Sequence, residues 1–465
     1  MKPMTIHQIA SFAEGVIYKD VTDENLISHV TIDSRQCRKG SIFIPLKGSN
    51  WDGHHFIKDA AKQGATACFF EPDVISGDAI PEGITGIAVN DCQKALENMA
   101  MNYRNQFDIP VISITGSNGK TTTKDMLASV LSSHYQVLKN PGNYNNHIGL
   151  PLSIMALNEN HQIAVLEMGM SGPGEISLLS KIARPDYAII TNIGMAHVEK
   201  LGNRMNIANA KKEITDGLEK NGVLIINRDD DYYDYLKENT ASDFQVEEVG
   251  LNTLSTCYAR EIKDLGQKGF EFKTNLTGDF CFKVRQPGLH NVINALFAIR
   301  TGLMFELDPK DVQQGLDSFK PTGMRMEICR IQGADVVNDA YNANPDSMKA
   351  AVHFISKYPA KRKIAVLGDM YELGEYAEEA HREIGREIIN QKIDYLITVG
   401  NMSDWMAEES KKLGMGHDKI IRTSDYVEAA AVLKKLIQKG DVVLLKASRV
   451  VALEKTIDVI GEGVQ

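Results

Sequence analysis

The chain has 465 residues, enough for about three domains at roughly 150 residues each. Hydrophobic residues make up 43% and charged residues 24%, ordinary proportions for a globular protein, which exclude disordered, collagen-like and disulfide-scaffold classes. With 51 basic against 61 acidic residues the net charge is −10, so no general basic field exists to hold nucleic acid or anionic lipid, and any phosphate site must be local.

Six cysteines lie far apart with no C-x-x-C pair, as expected of reduced thiols rather than a zinc site or disulfide framework. No apolar run reaches the length of a membrane span, and the N-terminus lacks a signal-peptide core. A cytoplasmic protein without a membrane span or nucleic-acid partner is expected. No feature marks a homo-oligomer face, so a monomer is the default.

In chain order, residues 1–106 alternate short strand-like runs (HVTID, SIFIPL, ATACFF, GIAV) with two helical stretches, FIKDAAKQG and CQKALENMAMNYRNQ, and predict a small α/β domain. Residues 107–320 change rhythm to apolar strands ending in glycine or polar residues: VISITG, IAVLEMG, YAIITNIG and GVLIIN. Such runs suit parallel strands buried between helix layers. Within that domain, residues 244–285 alternate polar and apolar side chains, which predicts antiparallel sheet or a hairpin. Residues 321–465 repeat the strand–helix rhythm with ADVVNDAY, KIAVLGDM, YLITVG, IIRT and DVVLLKAS, predicting an open, Rossmann-like α/β domain.

The strongest single feature is VISITGSNGKTTTKDML (111–127), an apolar strand, a glycine loop, then Lys-Thr opening a helix. Gly116 and Gly119 allow the tight turn, and the backbone of Ser117 and Asn118 can turn its N–H groups toward phosphate at a helix N-terminus. Lys120 can neutralise β/γ-phosphates, and Thr121 or Thr122 can hold Mg²⁺ through its hydroxyl. The loop is the short form, G-x-x-G-K-T, because Ile114 stands where the longer motif needs glycine. A plain strand-to-helix turn with an exposed lysine is the alternative.

Glu167 ends the next strand, where ligands gather in open α/β sheets, and could ligate Mg²⁺. His197 follows the third strand on the same rim, and Lys211 lies on the helical stretch after it. Each alone could be a solvated strand-end carboxylate, a loop histidine or a surface lysine; their coincidence beside a phosphate loop favours a site. Asn291 and Asn294, one helical turn apart, could bond a base edge or cap a helix. Arg325, at the junction of the second and third segments, could bring a cation to a γ-phosphate, and Asp339 could accept from a ribose hydroxyl; either could instead form a structural ion pair.

TGSNGKTT, LEMG, NIGMAHVE with the following NAKKE, LHNVINA, GMRME and NDAYNANPDSM stand in an order that resembles the Mur ligase family, ATP-dependent amide-forming enzymes of peptidoglycan precursor synthesis. NYNNHIGLPLS (143–153), DAYNANPDSMKAA (339–351) and LGDMYELGEYAEEAH (367–381) resemble the family member that joins D-alanyl-D-alanine to UDP-N-acetylmuramoyl-tripeptide. The D-N-P-R motif of the member that adds the third amino acid is absent.

The resemblance implies ATP and Mg²⁺ as cofactors. Lys120 and Thr121 should bind phosphates and metal, Glu167 and His197 should hold metal, and Lys211 should become a metal-binding carbamate by reaction with CO₂. Lys211 and Lys212 are neighbours, and the spacing from His197 selects Lys211. Asn294 should face adenine, Arg325 the γ-phosphate and Asp339 the ribose. Ser34, Arg35, Lys47 and Gly48 fall in segments resembling the UDP-sugar holder, and Asn145 and Asn146 in a further substrate segment. Asn342, Asn344, Pro345, Ser448 and Arg449 belong to the domain that should receive D-alanyl-D-alanine. The alternatives are a sister Mur ligase or folylpolyglutamate-synthase-like enzyme with another amine, or a P-loop ATPase acting as a switch or scaffold.

Overall fold

A computed structural model describes residues 1–19, 26–48 and 50–461. It contains three α/β domains, each built on its own sheet. In the first, Ala67–Phe70 occupies the centre, with Ser41–Phe43 and His29–Thr31 on one side and Thr85–Ala88 and Val16–Lys19 on the other. All pair in parallel except Val16–Lys19, an antiparallel edge not among the strand-like runs read from the sequence.

The second sheet has nine strands. Its centre is Tyr187–Ile190, Val111–Thr115 and Ile163–Glu167, all parallel. Every residue of Val111–Thr115 and Ile163–Glu167 is buried, as two-sided helix cover requires. Their carboxyl ends therefore open side by side on one rim, where the chain is free of the ladder and can meet a ligand.

The 244–285 region departs in part from the antiparallel expectation. Gln245–Gly250 pairs in parallel with Val223–Asn227 and with the start of Cys257–Asp264. Helix Tyr233–Glu238 supplies the crossover that a parallel strand needs, and alternation alone cannot reveal strand direction. Only the run from Cys257–Asp264 through Phe270–Thr274 to Cys281–Val284 is antiparallel.

The third sheet has six strands, five of them parallel, with Val442–Lys446 and Lys363–Gly368 at its centre. Its sixth, Glu327–Ile331, is an antiparallel edge with mostly exposed residues, so it carries little hydrophobic pattern. The linker between the second and third domains is tied down by Thr322, whose Oγ1 donates to Asp125 Oδ2 at 2.6 Å. All six cysteines are free. Among the described residues no helix is long and apolar enough to cross a membrane.

Candidate active site

The phosphate loop turns where Val111–Thr115 ends and helix Lys120–Leu131 begins. Gly116 has φ +150°, and a Cβ there would lie 1.8 Å from Thr191 Oγ1. Gly119 has φ +79°, and a Cβ would lie 2.5 Å from Asn294 Oδ1. Only glycine fits both positions. The segment after Tyr187–Ile190 then laces the loop in place. Ser117 N donates to Asn192 O at 3.0 Å, Asn118 N to Asn192 Oδ1 at 2.9 Å, and Gly194 N to Ser117 Oγ at 2.8 Å.

Helix Lys120–Leu131 has no side-chain N-cap, because Gly119 stands at that position. Its first N–H groups and its dipole are therefore left to an anion. Lys120 folds over the loop, donating to Gly116 O at 2.7 Å and Ser117 O at 3.3 Å. Burial lowers its proton affinity, an effect that Glu167 opposes and Arg325 reinforces.

Glu167 is buried at the end of its strand. Its Oε1 accepts from Asn145 Nδ2 at 2.7 Å, while the buried Oε2 has no hydrogen-bond partner. His197 precedes the short helix Val198–Leu201 with φ +65°, and its Nδ1 lies 2.6 Å from Glu372 Oε2 of the third domain. Lys211, in helix Arg204–Lys212, is only 1% exposed and makes no ion pair or hydrogen bond among the described residues. Burial draws its amine well below the ordinary lysine range, and the Lys120 charge adds to the effect. Lys212 instead turns outward and donates to Asn239 O at 3.1 Å.

Lys120, Thr121, Glu167, His197 and Lys211 line one cavity of about 820 Å³ between the second and third domains. The residues fit a divalent cation: an orphaned carboxylate oxygen, an imidazole and a threonine hydroxyl face a shared space beside the loop. They also fit CO₂ on Lys211, whose buried amine has no hydrogen-bond or ion-pair partner among the described residues and is drawn toward its deprotonated form by burial.

Opposite the loop, Asn294 shares its amide with neighbours. Its Nδ2 donates to Asn291 Oδ1 at 3.0 Å, and its Oδ1 accepts from Thr123 Oγ1 at 3.3 Å. Arg325 enters from the linker: Nη2 donates to Thr121 Oγ1 at 3.1 Å, and the guanidinium lies 4.2 Å from the centre of the Tyr341 ring. Asp339 accepts from Met326 N at 3.2 Å and pairs with Lys446 Nζ at 2.5 Å. Asn145, Asn146, Asn342 and Asn344 also face the cavity.

Other expected substrate residues do not line it. Arg35 holds Asp33 at 2.8 Å and follows Ser34 in a short 3₁₀ turn of the first domain. Lys47 pairs with Glu71 at 2.5 Å, and Gly48 N donates to Trp51 O at 2.8 Å. Pro345 starts helix Pro345–Ser356, Ser448 Oγ accepts from Tyr371 N at 2.9 Å, and Arg449 pairs with Glu454 at 2.9 Å.

Sequence reasoning passed over Asn192, Tyr341, Glu372 and Lys446. Lys446 alone carried a usable signal, as the first residue of KASR at a strand end. The others act through contacts between distant segments.

A glycine loop at a helix N-terminus, a buried carboxylate, a histidine and a desolvated lysine share one rim beside the third α/β domain, a site suited to phosphoryl transfer. Three family descriptions match the chain in order: Mur ligase family, catalytic domain, over residues 26–114; Mur ligase middle domain, over 114–302; and Mur ligase, glutamate ligase domain, over 324–449. The chain belongs to the Mur ligase family. It is 40% identical, over 459 residues and 97% of each chain, to the UDP-N-acetylmuramoyl-tripeptide--D-alanyl-D-alanine ligase of Bacillus subtilis (strain 168). Its structure matches MurF from Acinetobacter baumannii with a TM-score of 0.90 at 30% identity, covering 99% of both chains. It also matches MurF from Thermotoga maritima in complex with ADP, with a TM-score of 0.79 at 28% identity over 93% of this chain and 97% of that one.

Proposed function

We infer that this chain joins D-alanyl-D-alanine to UDP-N-acetylmuramoyl-tripeptide at the expense of ATP, a step of peptidoglycan precursor synthesis in the cytoplasm. The observation that carries the inference is the 40% identity, along 97% of both chains, to a ligase of that name. The cavity supports it by collecting the groups such chemistry needs.

Amide formation from a carboxylate is uphill, and carboxylate oxygen is a poor leaving group. The tripeptide carboxylate attacks the γ-phosphorus, the bond to the β-phosphate oxygen breaks, and ADP departs, leaving an acyl phosphate. The dipeptide amine then attacks the acyl carbon, loses a proton and expels phosphate. Phosphoryl transfer of this kind needs positioning and charge neutralisation more than covalent help.

In this reading Lys120, the loop N–H groups and Arg325 neutralise the transferring phosphoryl group. Thr121, Glu167 and His197 would hold Mg²⁺, which when bound supplies charge neutralisation at the phosphate oxygens. Lys211 would carry a carbamate, turning a buried, unpaired amine into an anionic oxygen donor. Asn294 and Asp339 bound the nucleoside end of the cavity. Ser34, Arg35, Lys47 and Gly48, set apart in the first domain, would hold the distal UDP-sugar, and the 339–351 and 446–449 segments would receive the dipeptide. Docking the third domain over the cavity shields an acyl phosphate from water.

The test is phosphate release with Mg-ATP and UDP-N-acetylmuramoyl-tripeptide, run with D-alanyl-D-alanine, with single amino acids and with no amine. Release that requires both substrates, with a product heavier by one dipeptide less water, is expected. Release only with a single amino acid would move the chain to a sister ligase. Release indifferent to both would replace the ligase reading with an ATPase switch.

A further inference from the structure

Lys124 is a buried charge that the proposed reaction does not use. It sits one helical turn beyond Lys120 in helix Lys120–Leu131 and is 0% exposed. A buried ammonium normally takes a carboxylate at hydrogen-bond distance. Here Asp125 Oδ1 lies 3.6 Å away and Glu167 Oε2 3.9 Å away, both too far for a charge-assisted bond. The Asp125 oxygens are already engaged, by Lys139 Nζ at 2.6 Å and by Thr322 Oγ1 at 2.6 Å.

The close partners of Lys124 are two backbone carbonyls, Asn140 O at 3.1 Å and Gly142 O at 3.3 Å. They belong to the segment after strand Val137–Lys139, which runs on to Asn145. Gly142 has φ +51°, a left-handed turn that helps bring its carbonyl round to the ammonium. Asn140, itself 0% exposed, clamps the same segment to the strand end: its Oδ1 accepts from Glu167 N at 2.9 Å, and its Nδ2 donates to Glu167 O at 3.0 Å and Tyr144 O at 2.8 Å. Asn145 then reaches Glu167 Oε1, which leaves Oε2 as the oxygen without a partner. Which Glu167 oxygen is free therefore depends on where this segment is held.

We propose that Lys124 is a positioning residue: its buried ammonium, by holding the carbonyls of Asn140 and Gly142, fixes the 140–146 segment so that Asn145 orients the Glu167 carboxylate toward the cavity. The role rests on the reading of Glu167 as a cation ligand. Outer groups that orient a ligating carboxylate commonly change metal affinity by about 10–100-fold when removed.

Lys124→Met tests it in the full-length protein. Removing the ammonium leaves the Asn140 and Gly142 carbonyls without their donor, so Lys124→Met should melt at a lower temperature than the parent and is assayed below that temperature, where it is folded. Amide hydrogen exchange over residues 140–146 should accelerate, and affinity for Mn²⁺ alone, read from the free-ion paramagnetic resonance signal, should fall about tenfold. Asn145→Ala should weaken Mn²⁺ binding similarly, and the double variant no further, because both act through one hydrogen bond. A folded Lys124→Met protein with unchanged exchange over 140–146 overturns the proposal. Faster exchange with parental Mn²⁺ affinity also overturns it, provided Glu167→Gln binds Mn²⁺ weakly. If Glu167→Gln binds Mn²⁺ normally, the cation reading of Glu167 falls instead, and the hold of Lys124 on the segment is decided by the exchange measurement.

Discussion

Asn344, at the start of the third domain's helix Pro345–Ser356, donates from Nδ2 to Asn118 Oδ1 in the phosphate loop of the second domain at 2.7 Å. The same side chain caps its own helix, its Oδ1 accepting from Ser347 N at 2.9 Å. One residue thus couples the order of the third domain's helix to the glycine loop of the second domain.

Asn344→Ser separates the two roles. Serine caps helices about as well as asparagine, so thermal stability should stay within about 1 kcal/mol of the parent. It is too short to reach Asn118, and the loss of one neutral hydrogen bond between domains, worth about 1 kcal/mol, should lower kcat/KM roughly fivefold. Steady-state phosphate release beside thermal unfolding checks this. A parallel fall in stability would place the effect in the cap.

Arg325 bridges the linker to Thr121 Oγ1 at 3.1 Å and stacks on Tyr341, leaving a buried Nε without a partner. An unspent donor beside the phosphate loop suits charge that develops during transfer. Arg325→Lys keeps the charge but loses the planar stack and the fork of donors. It should reduce kcat by about 10²-fold while changing the KM for ATP little. A raised KM with normal kcat would make Arg325 a ground-state binding group.

The phosphate loop and the strand-end carboxylate were legible because their signals are local: two glycines, Lys-Thr, and an acidic residue closing a fully apolar strand. The parallel core strands were legible for the same reason. Edge strands Val16–Lys19 and Glu327–Ile331 were not, since two or three apolar residues between polar ones do not distinguish a short edge strand from a loop. Nor could sequence place Glu372 2.6 Å from His197, a contact across 175 residues that exists only once two domains dock. Asp339 shows the limit in another way: its position at a strand end was readable, but its pairing with Lys446 at 2.5 Å was not. Arg35 and Lys47 likewise lie in recognisable segments, yet in this structure each pairs with an acid of its own domain.

Lys211 and Lys212 are neighbours in sequence with opposite surroundings, and the cavity lies before only one of them. Protein equilibrated with ¹³C-bicarbonate should show a carbamate resonance that disappears in Lys211→Met and survives in Lys212→Met. Turnover should fall about 10²-fold or more in Lys211→Ala and recover in part with added short carboxylic acids, which supply the missing oxygen donors. Normal turnover in Lys211→Ala would dismiss the carbamate.

His381 is fully buried in the third domain beneath the loop that carries Glu372. Its Nε2 accepts from Met370 N at 3.0 Å while Nδ1 faces Ala377 O at 2.6 Å, an arrangement that requires the neutral, Nδ1-protonated ring. Burial pulls its pKa below the ordinary histidine value, against smaller opposing effects of Ala377 O and Asp369. Below about pH 6.5 the unfolded chain therefore takes up a proton that the folded chain refuses, and stability falls as pH drops toward the folded pKa. The loss is about 1.4 kcal/mol for each unit by which the pKa is lowered. Thermal unfolding of the parent should therefore soften between pH 7 and pH 5. In His381→Leu the melting temperature at pH 7 should be lower, because the Met370 N–H loses its acceptor at a cost of about 1–3 kcal/mol, but its slope against pH should be shallower. Equal slopes in parent and variant would mean that the ring accepts a proton without breaking the clamp, and would remove His381 as the hold on the Glu372 loop.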